Sequence, residues 1–403
     1  MRILIVHNSY QIHGGEDAVV SDEAELLREN GIDCHLFTVT NDTIRSFAAR
    51  VGTAINLVYS FRAKRALSQK IRECRPDIVH VHNFFPLLTP SIFDACRSAG
   101  VPSVLTLHNF RLLCPSAFLY DDVLYRERSL HRSCWWTVPK RVYRNSLTAT
   151  FALAAMVECH KRFGTWDNKV DRFIALSEWA QAKFIEGGLP SDRIVVKPNA
   201  VRRPVGAAAP DRSGALFVGR LDNQKGIKIL LEAWNQVDYP IRVIGDGPLA
   251  PLVQKASGNV VYLGRRPRDV VTAEMQKARF LVVPSIGHEM FPLTIVEAFA
   301  AGLPVLCSDL PSLRSLVAEG ETGFTFASND PTALAATARW AIAHQDALDE
   351  AAGRASQVYA ERYSPDANLK ALMDVYRSAA TAFALRHAPL PTGETTARPL
   401  AAP

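Results

Sequence analysis

Short apolar, β-branched runs alternate along the chain with longer stretches whose apolar positions recur at helical spacing. The first half predicts strands at 2–7, 32–39, 77–82, 102–107, 172–177 and 194–198, with helices near 16–30, 61–74, 88–99, 142–162 and 178–187 between them. That alternation belongs to parallel sheets covered by helices, an α/β class. The phase breaks over 199–214 (NAVRRPVGAAAPDRSG), which mixes Pro, Gly and Ala without periodicity and reads as a linker. A second set then starts afresh. Strands are expected near 215–219, 241–244, 260–263, 280–284 and 304–307, and helices near 226–236, 248–256, 268–278, 293–301 and 331–347.

Two doubly wound, Rossmann-like domains follow: residues 1–199, completed by a C-terminal helix over 366–384, and residues 200–365. The remainder, 385–403, is rich in Pro, Thr and Ala, has little to bury and is expected to be disordered. Doubly wound sheets bind ligands outside the carboxyl ends of their strands, so two of them facing each other form one interdomain cleft.

Composition narrows the picture. A length of 403 residues with 48% hydrophobic and 21% charged residues suits two ordinary globular cores. No run approaches the ~20 apolar residues of a membrane span, and Met1 leads directly into the first strand, so a cytoplasmic protein is expected. The seven cysteines are scattered without a Cys-x-x-Cys pair, which gives neither a disulfide framework nor a zinc site. The formal charge of +6 is mild and calls for no nucleic acid. It is unevenly spread: 61–75 holds six Lys/Arg against Glu73 alone, and 126–144 holds six against Glu127 alone. Each run is either a solvated face or an attraction to anionic lipid or a phosphorylated acceptor.

Candidate chemistry gathers at strand ends. In 284–304 a strand runs into a loop and a helix begins near Pro292 or Leu293, placing Glu289 in the loop and Glu297 about a turn into the helix. Proline suits a helix start, and free N–H groups beside two carboxylates suit a ligand carrying phosphate and hydroxyls. Such a pair alone is also ordinary helix-start composition. In 216–226, Gly219 and Gly226 free the backbone while Arg220 and Lys225 bring two cations able to hold a diphosphate. The chain contains no Asp-x-Asp pair, so those cations, rather than a metal, are expected to neutralise a leaving group. His13-Gly-Gly-Glu16 opens the first helix, where Gly14 and Gly15 let backbone approach a ligand. His108 ends an apolar strand at the same cleft.

Together these segments resemble glycosyltransferase family 4, retaining enzymes of GT-B fold, from about residue 3 to 384. The resemblance rests on His13-Gly-Gly-Glu16, Thr106-Leu-His108, Ala175-Leu-Ser177, Lys197-Pro-Asn199, 217–226, Ile244-Gly-Asp-Gly-Pro-Leu249, Leu263-Gly264 and the Glu-x7-Glu pair Glu289 and Glu297. The opening Asn8-x-Tyr10 with Gly14-Gly-Glu-Asp17, and 107–114 (LHNFRLLC), are similar to the branch that builds exopolysaccharide and other lipid-linked surface glycans. Two departures stand out: Pro292 replaces the family's usual glycine, and only Cys134 follows where many branch members carry several cysteines.

The resemblance implies a hexosyl transferase that takes a nucleotide-sugar as substrate, needs no cofactor or metal, and works on a lipid-linked glycan acceptor at the inner face of the plasma membrane. It implies catalytic roles for His108, Arg220, Lys225 and Glu289. Donor binding falls to Gly14, Gly15, Gly219, Met290, Phe291, Pro292, Leu293 and Glu297. Within this, Arg220 and Lys225 take the phosphates and Glu297 the ribose hydroxyls, while Glu289 and the following backbone take the sugar. The alternatives are a non-catalytic subunit binding nucleotide-sugar or glycan, and a GT-B epimerase. A dinucleotide oxidoreductase would need a Gly-x-Gly-x-x-Gly turn after the first strand, which is absent.

Overall fold

The computed structural model describes residues 1–9, 14–43, 46–119, 127–206, 211–256 and 258–387. Expectations that touch His13, Tyr10, residue 126, 207–210 and 388–403 lie outside these.

Six parallel strands form the first sheet: β1 (Arg2–Ser9), β2 (Asp33–Thr40), β3 (Ile78–Asn83), β4 (Ser103–Leu107), β5 (Arg172–Ala175) and β6 (Ile194–Val196), in the order β2-β1-β3-β4-β5-β6. β3 and β4 are buried along their whole length, as strands covered on both faces must be. The second sheet has β7 (Ala215–Val218), β8 (Ile241–Ile244), β9 (Val260–Gly264), β10 (Phe280–Val283), β11 (Val305–Ser308) and β12 (Gly323–Phe326), in the order β12-β11-β10-β7-β8-β9. This is the doubly wound α/β architecture expected, once per half.

The helices that matter below are α1 (Gly15–Glu29), α2 (Phe61–Cys74), α3 (Arg268–Lys277), α4 (Leu293–Ala300), α5 (Gln345–Val358) and α6 (Pro365–His387). α2 buries Ala63, Leu67, Ile71 and Cys74, a 3–4 spacing that fixes its inner stripe and leaves most of its basic residues outside. α6 sends Leu372, Val375, Tyr376 and Ala379 into one core cluster with Ile3, Ile5, Ile78, Val104 and Ile174. The last helix thus packs on the first sheet, and the chain crosses between the sheets twice.

Several expectations need correction. β12 was not foreseen: its four residues follow Glu321-Thr322 and are too few for a period to show. A helix over 331–347 is really two, because the chain breaks at His344 (φ −116°, ψ 69°) before α5. α5 buries only Leu348, Ala351 and Ala355, so its inner face is mostly alanine and leaves little apolar signal. The helix placed at 142–162 begins at Leu147, where Ser146 caps Ala149 N–H, and α6 runs on to His387 rather than stopping at 384. Residues 385–387 therefore do not belong to a disordered tail. Among the described residues no helix is long and apolar enough to cross a membrane.

Candidate functional site

In the second sheet the chain enters at the centre on β7, steps outward to β8 and β9, then returns to β10 beside β7 and steps the other way. Loops leaving β7 and β10 therefore part to opposite faces and open a crevice at the strands' carboxyl ends. The two motif segments are those loops, 219–226 and 284–292.

Main-chain contacts lock them together. Gly226 has φ 69°, and a Cβ there would lie 1.8 Å from the Pro284 carbonyl oxygen, so only glycine fits. Ile286 and Gly287 N–H groups donate to the Gln224 carbonyl at 2.9 and 3.3 Å. The Asp222 carboxylate accepts from Lys225 N–H at 3.0 Å. The turn after β8 joins them, since a Cβ on Gly245 would lie 1.8 Å from the Gly219 carbonyl oxygen.

This scaffold pairs groups far apart in sequence. Lys225 Nζ lies 2.5 Å from Glu289 Oε2, while Glu289 Oε1 accepts from Ser285 Oγ at 2.6 Å. The two charged side chains keep 29% and 16% of their surface exposed, so a ligand can reach them. Gly219 belongs to the same spot, for a Cβ there would meet Lys225 Cδ at 3.9 Å. Arg220 reaches not Glu289 but Asp222, at 3.3 Å, with 71% of its side chain in solvent.

No side chain caps α4 at Pro292; Ile295 N–H turns back to the Pro292 carbonyl at 3.0 Å, and the N–H groups of Leu293 and Thr294 have no side-chain cap. Met290 packs against the first domain's core and Phe291 against cores of both halves, so what this loop offers a ligand is mainly backbone. Ser177 Oγ donates to the Met290 carbonyl at 3.4 Å, and the Trp179 ring stacks on His288 with centroids 4.9 Å apart. A Cβ on Gly15 would touch Leu293 Cδ1 at 3.3 Å, whereas one on Gly14 would meet nothing within 4 Å. Gly15 is thus the glycine of that pair held close to α4.

Glu297, a turn into α4, has Oε1 3.9 Å from Arg268 Nε, and Arg268 donates onward to Asp22 on α1 at 3.0 Å. Burial raises the Glu297 carboxyl above its usual range; Arg268 pulls it down, and Asp22 adds to the rise.

In the first domain, His108 is the residue immediately after β4. Its Nε2 lies 3.0 Å from His82 Nδ1, and His82 Nε2 lies 3.1 Å from Glu23 Oε1. His80 Nδ1 approaches the same oxygen at 3.0 Å, and Lys197 Nζ takes Glu23 Oε2 at 2.9 Å. Burial alone would raise the Glu23 carboxyl, but Lys197, His80 and His82 outweigh it and hold it well below the carboxylate range. Burial brings His82 down to about 4 and His108 well below the ordinary imidazole value, with the neighbouring histidines adding to both. Glu23, His80 and His82 offer ligand atoms within 4.8 Å of one another, but Lys197 already supplies the positive charge there. A cavity of about 470 Å³ elsewhere is lined by Arg203, Arg212, Arg279 and Asp349; Arg212 binds the Gly302 and Ala301 carbonyls and Arg279 binds Asp349.

The structure thus gathers Gly219, Lys225, Glu289 and the start of α4 at one crevice, sets Gly15 against it, and ties His108 to its own domain. Sequence reasoning missed Asp222, Ser285, Arg268 and the Glu23–His82 chain. The last had a signal: His80 and His82 are polar residues on alternate positions among the apolar Ile78, Val79 and Val81 of β3.

Comparison with known proteins gives two family matches, "Glycosyltransferase Family 4" over residues 13–203 and "Glycosyl transferases group 1" over 212–344. D-rhamnosyltransferase WbpZ of Pseudomonas aeruginosa is 30% identical over 393 residues, spanning 90% of this chain and 92% of that protein. Phosphatidyl-myo-inositol mannosyltransferase of Mycobacterium leprae is 27% identical over 409 residues, 94% and 98% of the two chains. Among solved structures, Anabaena Alr3699/HepE in complex with UDP superposes with a TM-score of 0.66 at 18% identity, covering 94% of this chain and 100% of that one. Sucrose-phosphate synthase from Thermosynechococcus elongatus gives 0.71 at 17%, covering 95% and 100%. At those identities the structural likeness bears on the fold.

Proposed function

The chain belongs to glycosyltransferase family 4, as a glycosyltransferase of GT-B fold, and on that premise we propose that it moves a hexose from a nucleotide-sugar to a lipid-linked glycan acceptor with retention of configuration. The observation that carries this reading is the Lys225–Glu289 pair, set at the switch point of the second sheet beside an uncapped helix start. One group suits a phosphate and the other sugar hydroxyls, and a donor has both on adjacent atoms.

In this reading Lys225 and Arg220 bind the diphosphate, Glu289 and the backbone of 290–293 bind the sugar, and Glu297 binds the ribose once Arg268 yields it. His108 and Gly15 approach from the first domain as the cleft closes. When the glycosidic bond loosens, negative charge gathers on the departing diphosphate, where Lys225 and Arg220 stabilise it. With the phosphates and sugar both gripped from one side, the acceptor enters beside the leaving group and passes its proton to the donor phosphate. Glu289 and Glu297 are not the acid pair of a glycosidase, in which water attacks between flanking carboxyls.

UDP in the Anabaena structure fits a nucleotide-sugar donor, and the mycobacterial relative, a phosphatidyl-myo-inositol mannosyltransferase, supports a lipid-borne acceptor. Membrane contact through α2 fits its exposed Arg62, Arg65 and Arg72 beside Phe61, which is 78% exposed. The anomeric configuration of the product, read by NMR, tests the mechanism: retention is expected, and inversion would require a base opposite the phosphate and overturn the same-face reading.

A further inference from the structure

The hydrogen-bond chain behind His108 has a direction, and the direction follows from charge. Glu23 lies between two histidines and one lysine in a site where its side chain is 5% exposed and that of Lys197 1%. Its carboxylate can only accept, so His82 must donate to it from Nε2. The Glu23–Lys197 pair is already neutral, and Lys197 is held further by Asn368 Oδ1 at 3.1 Å, so a second cation has no counter-charge. A neutral His82 that is protonated at Nε2 has a bare Nδ1. The 3.0 Å contact to that atom is then a hydrogen bond only if His108 donates from its own Nε2. His80 completes the site: its Nδ1 hydrogen-bonds Tyr376 Oη at 2.9 Å with Glu23 Oε1 3.0 Å away, and its Nε2 hydrogen-bonds Thr106 Oγ1 at 2.7 Å. Among the described residues nothing hydrogen-bonds His108 Nδ1, and the residue as a whole is only partly buried.

We propose that Glu23 and His82 are positioning residues: with Lys197 they lock His108 as a neutral imidazole protonated at Nε2, so that the ring meets the donor sugar as an acceptor at Nδ1. His108 would then take a hydrogen bond from a sugar hydroxyl and present no charge. Burial, with His82, His7 and His80 nearby, makes it too weak a base to keep a proton near neutral pH. The functional meaning rests on the assignment of His108 to the donor sugar, but the relay itself can be tested without any donor.

The test uses the full chain labelled with ¹⁵N-histidine, with His108 assigned through His108→Asn. Long-range ¹H–¹⁵N spectra should show His108 and His82 each protonated at Nε2 only, with a through-hydrogen-bond N–N coupling between His108 Nε2 and His82 Nδ1. In His82→Phe, which keeps the Glu23–Lys197 pair, the coupling disappears and solvent exchange of the His108 Nε2 proton should quicken by about tenfold or more. His82→Asn places Oδ1 near the lost Nδ1 and should restore much of that protection. A His108 protonated at Nδ1, or unchanged exchange in His82→Phe, would overturn the relay. Nucleoside-diphosphate release that stays at the wild-type rate in His108→Phe, which has no acceptor at that position, would instead overturn the use of His108 by the donor sugar.

Discussion

Replacing Lys225 by alanine separates catalysis from folding more cleanly than any other change at the crevice. In the resting protein Lys225 pairs with Glu289 at 2.5 Å, with 29% and 16% of the two side chains exposed. A partly exposed pair of this kind is worth about 0–1 kcal/mol. Its loss leaves Glu289 hydrogen-bonded to Ser285, so no buried charge is stranded. The fold should therefore lose no more than about 1 kcal/mol. The transition state is another matter. Removing one preorganised group from a developing negative charge typically lowers turnover by about 10²–10³, or about 2.7–4 kcal/mol. Because Lys225 must first leave Glu289, the pair's own energy is subtracted, and a net effect near 100-fold is expected.

Nucleoside-diphosphate release at saturating donor measures the turnover, and urea unfolding measures the stability. Turnover within about threefold of wild type would refute the role of Lys225 at the phosphates. So would a loss of activity matched by several kcal/mol of destabilisation, since the defect would then be one of folding.

Turnover should persist in excess EDTA, because the chain has no Asp-x-Asp pair and carries two cations at the crevice; loss that Mg²⁺ or Mn²⁺ restores would contradict this. Replacing Arg62, Lys64, Arg65, Lys70 and Arg72 by serine should abolish sedimentation with anionic liposomes, each cation being worth about 1 kcal/mol near such a surface, and raising salt should do the same. Gly226→Ala should destabilise by about 3 kcal/mol in urea unfolding, since its Cβ would sit 1.8 Å from the Pro284 oxygen at φ 69°; a change below about 1 kcal/mol would show that the loops do not depend on this contact. Acid should weaken the fold through His82, whose folded value of about 4 lies below the ordinary 6.5: its contribution is complete above 6.5, falls as pH drops toward 4, and should be about 2 kcal/mol smaller at pH 5, a loss absent from His82→Phe. Glu23, depressed as well, loses its contribution only at still lower pH, below the ordinary carboxylate value of about 4.3.

The fold was readable because most of its strands are short runs dominated by apolar residues and its helices are mostly amphipathic, so the two periods separate. Where the signal failed, the cause was local. β12 is four residues long, and α5 turns one leucine and two alanines inward, so it lacks the stripe of large apolar residues by which the other helices are recognised. The crevice residues were readable because glycine, cation and carboxylate fell just beyond strand ends. Their pairing was not, since Lys225 and Glu289 are 64 positions apart and meet only because β10 returns beside β7. Arg268 gave no signal at all, as one of several basic residues at the start of α3 whose partner, Asp22, lies on a helix of the other half.

The two walls of the cleft differ electrostatically, and the difference bears on where the acceptor's proton goes. The second domain brings paired charge within reach of solvent: Arg220, beside Asp222, is 71% exposed, and Lys225, beside Glu289, is 29% exposed. The first domain brings a balanced site, one carboxylate against one ammonium, behind a histidine that burial keeps neutral. If His108 were a good base, the proposed arrangement would offer the acceptor's proton two destinations, and a base facing the departing phosphate would favour inversion. A weakly basic His108 removes that choice. The most basic group near the reacting carbon is then the diphosphate itself, whose negative charge grows as the bond breaks. The Glu23–His82 chain and the retaining outcome are therefore linked: loosening the chain enough to let His108 accept a proton should permit a fraction of inverted product. His82→Phe is the variant in which to look for it, and product that remains wholly retained while His108 titrates near its ordinary value would break the link.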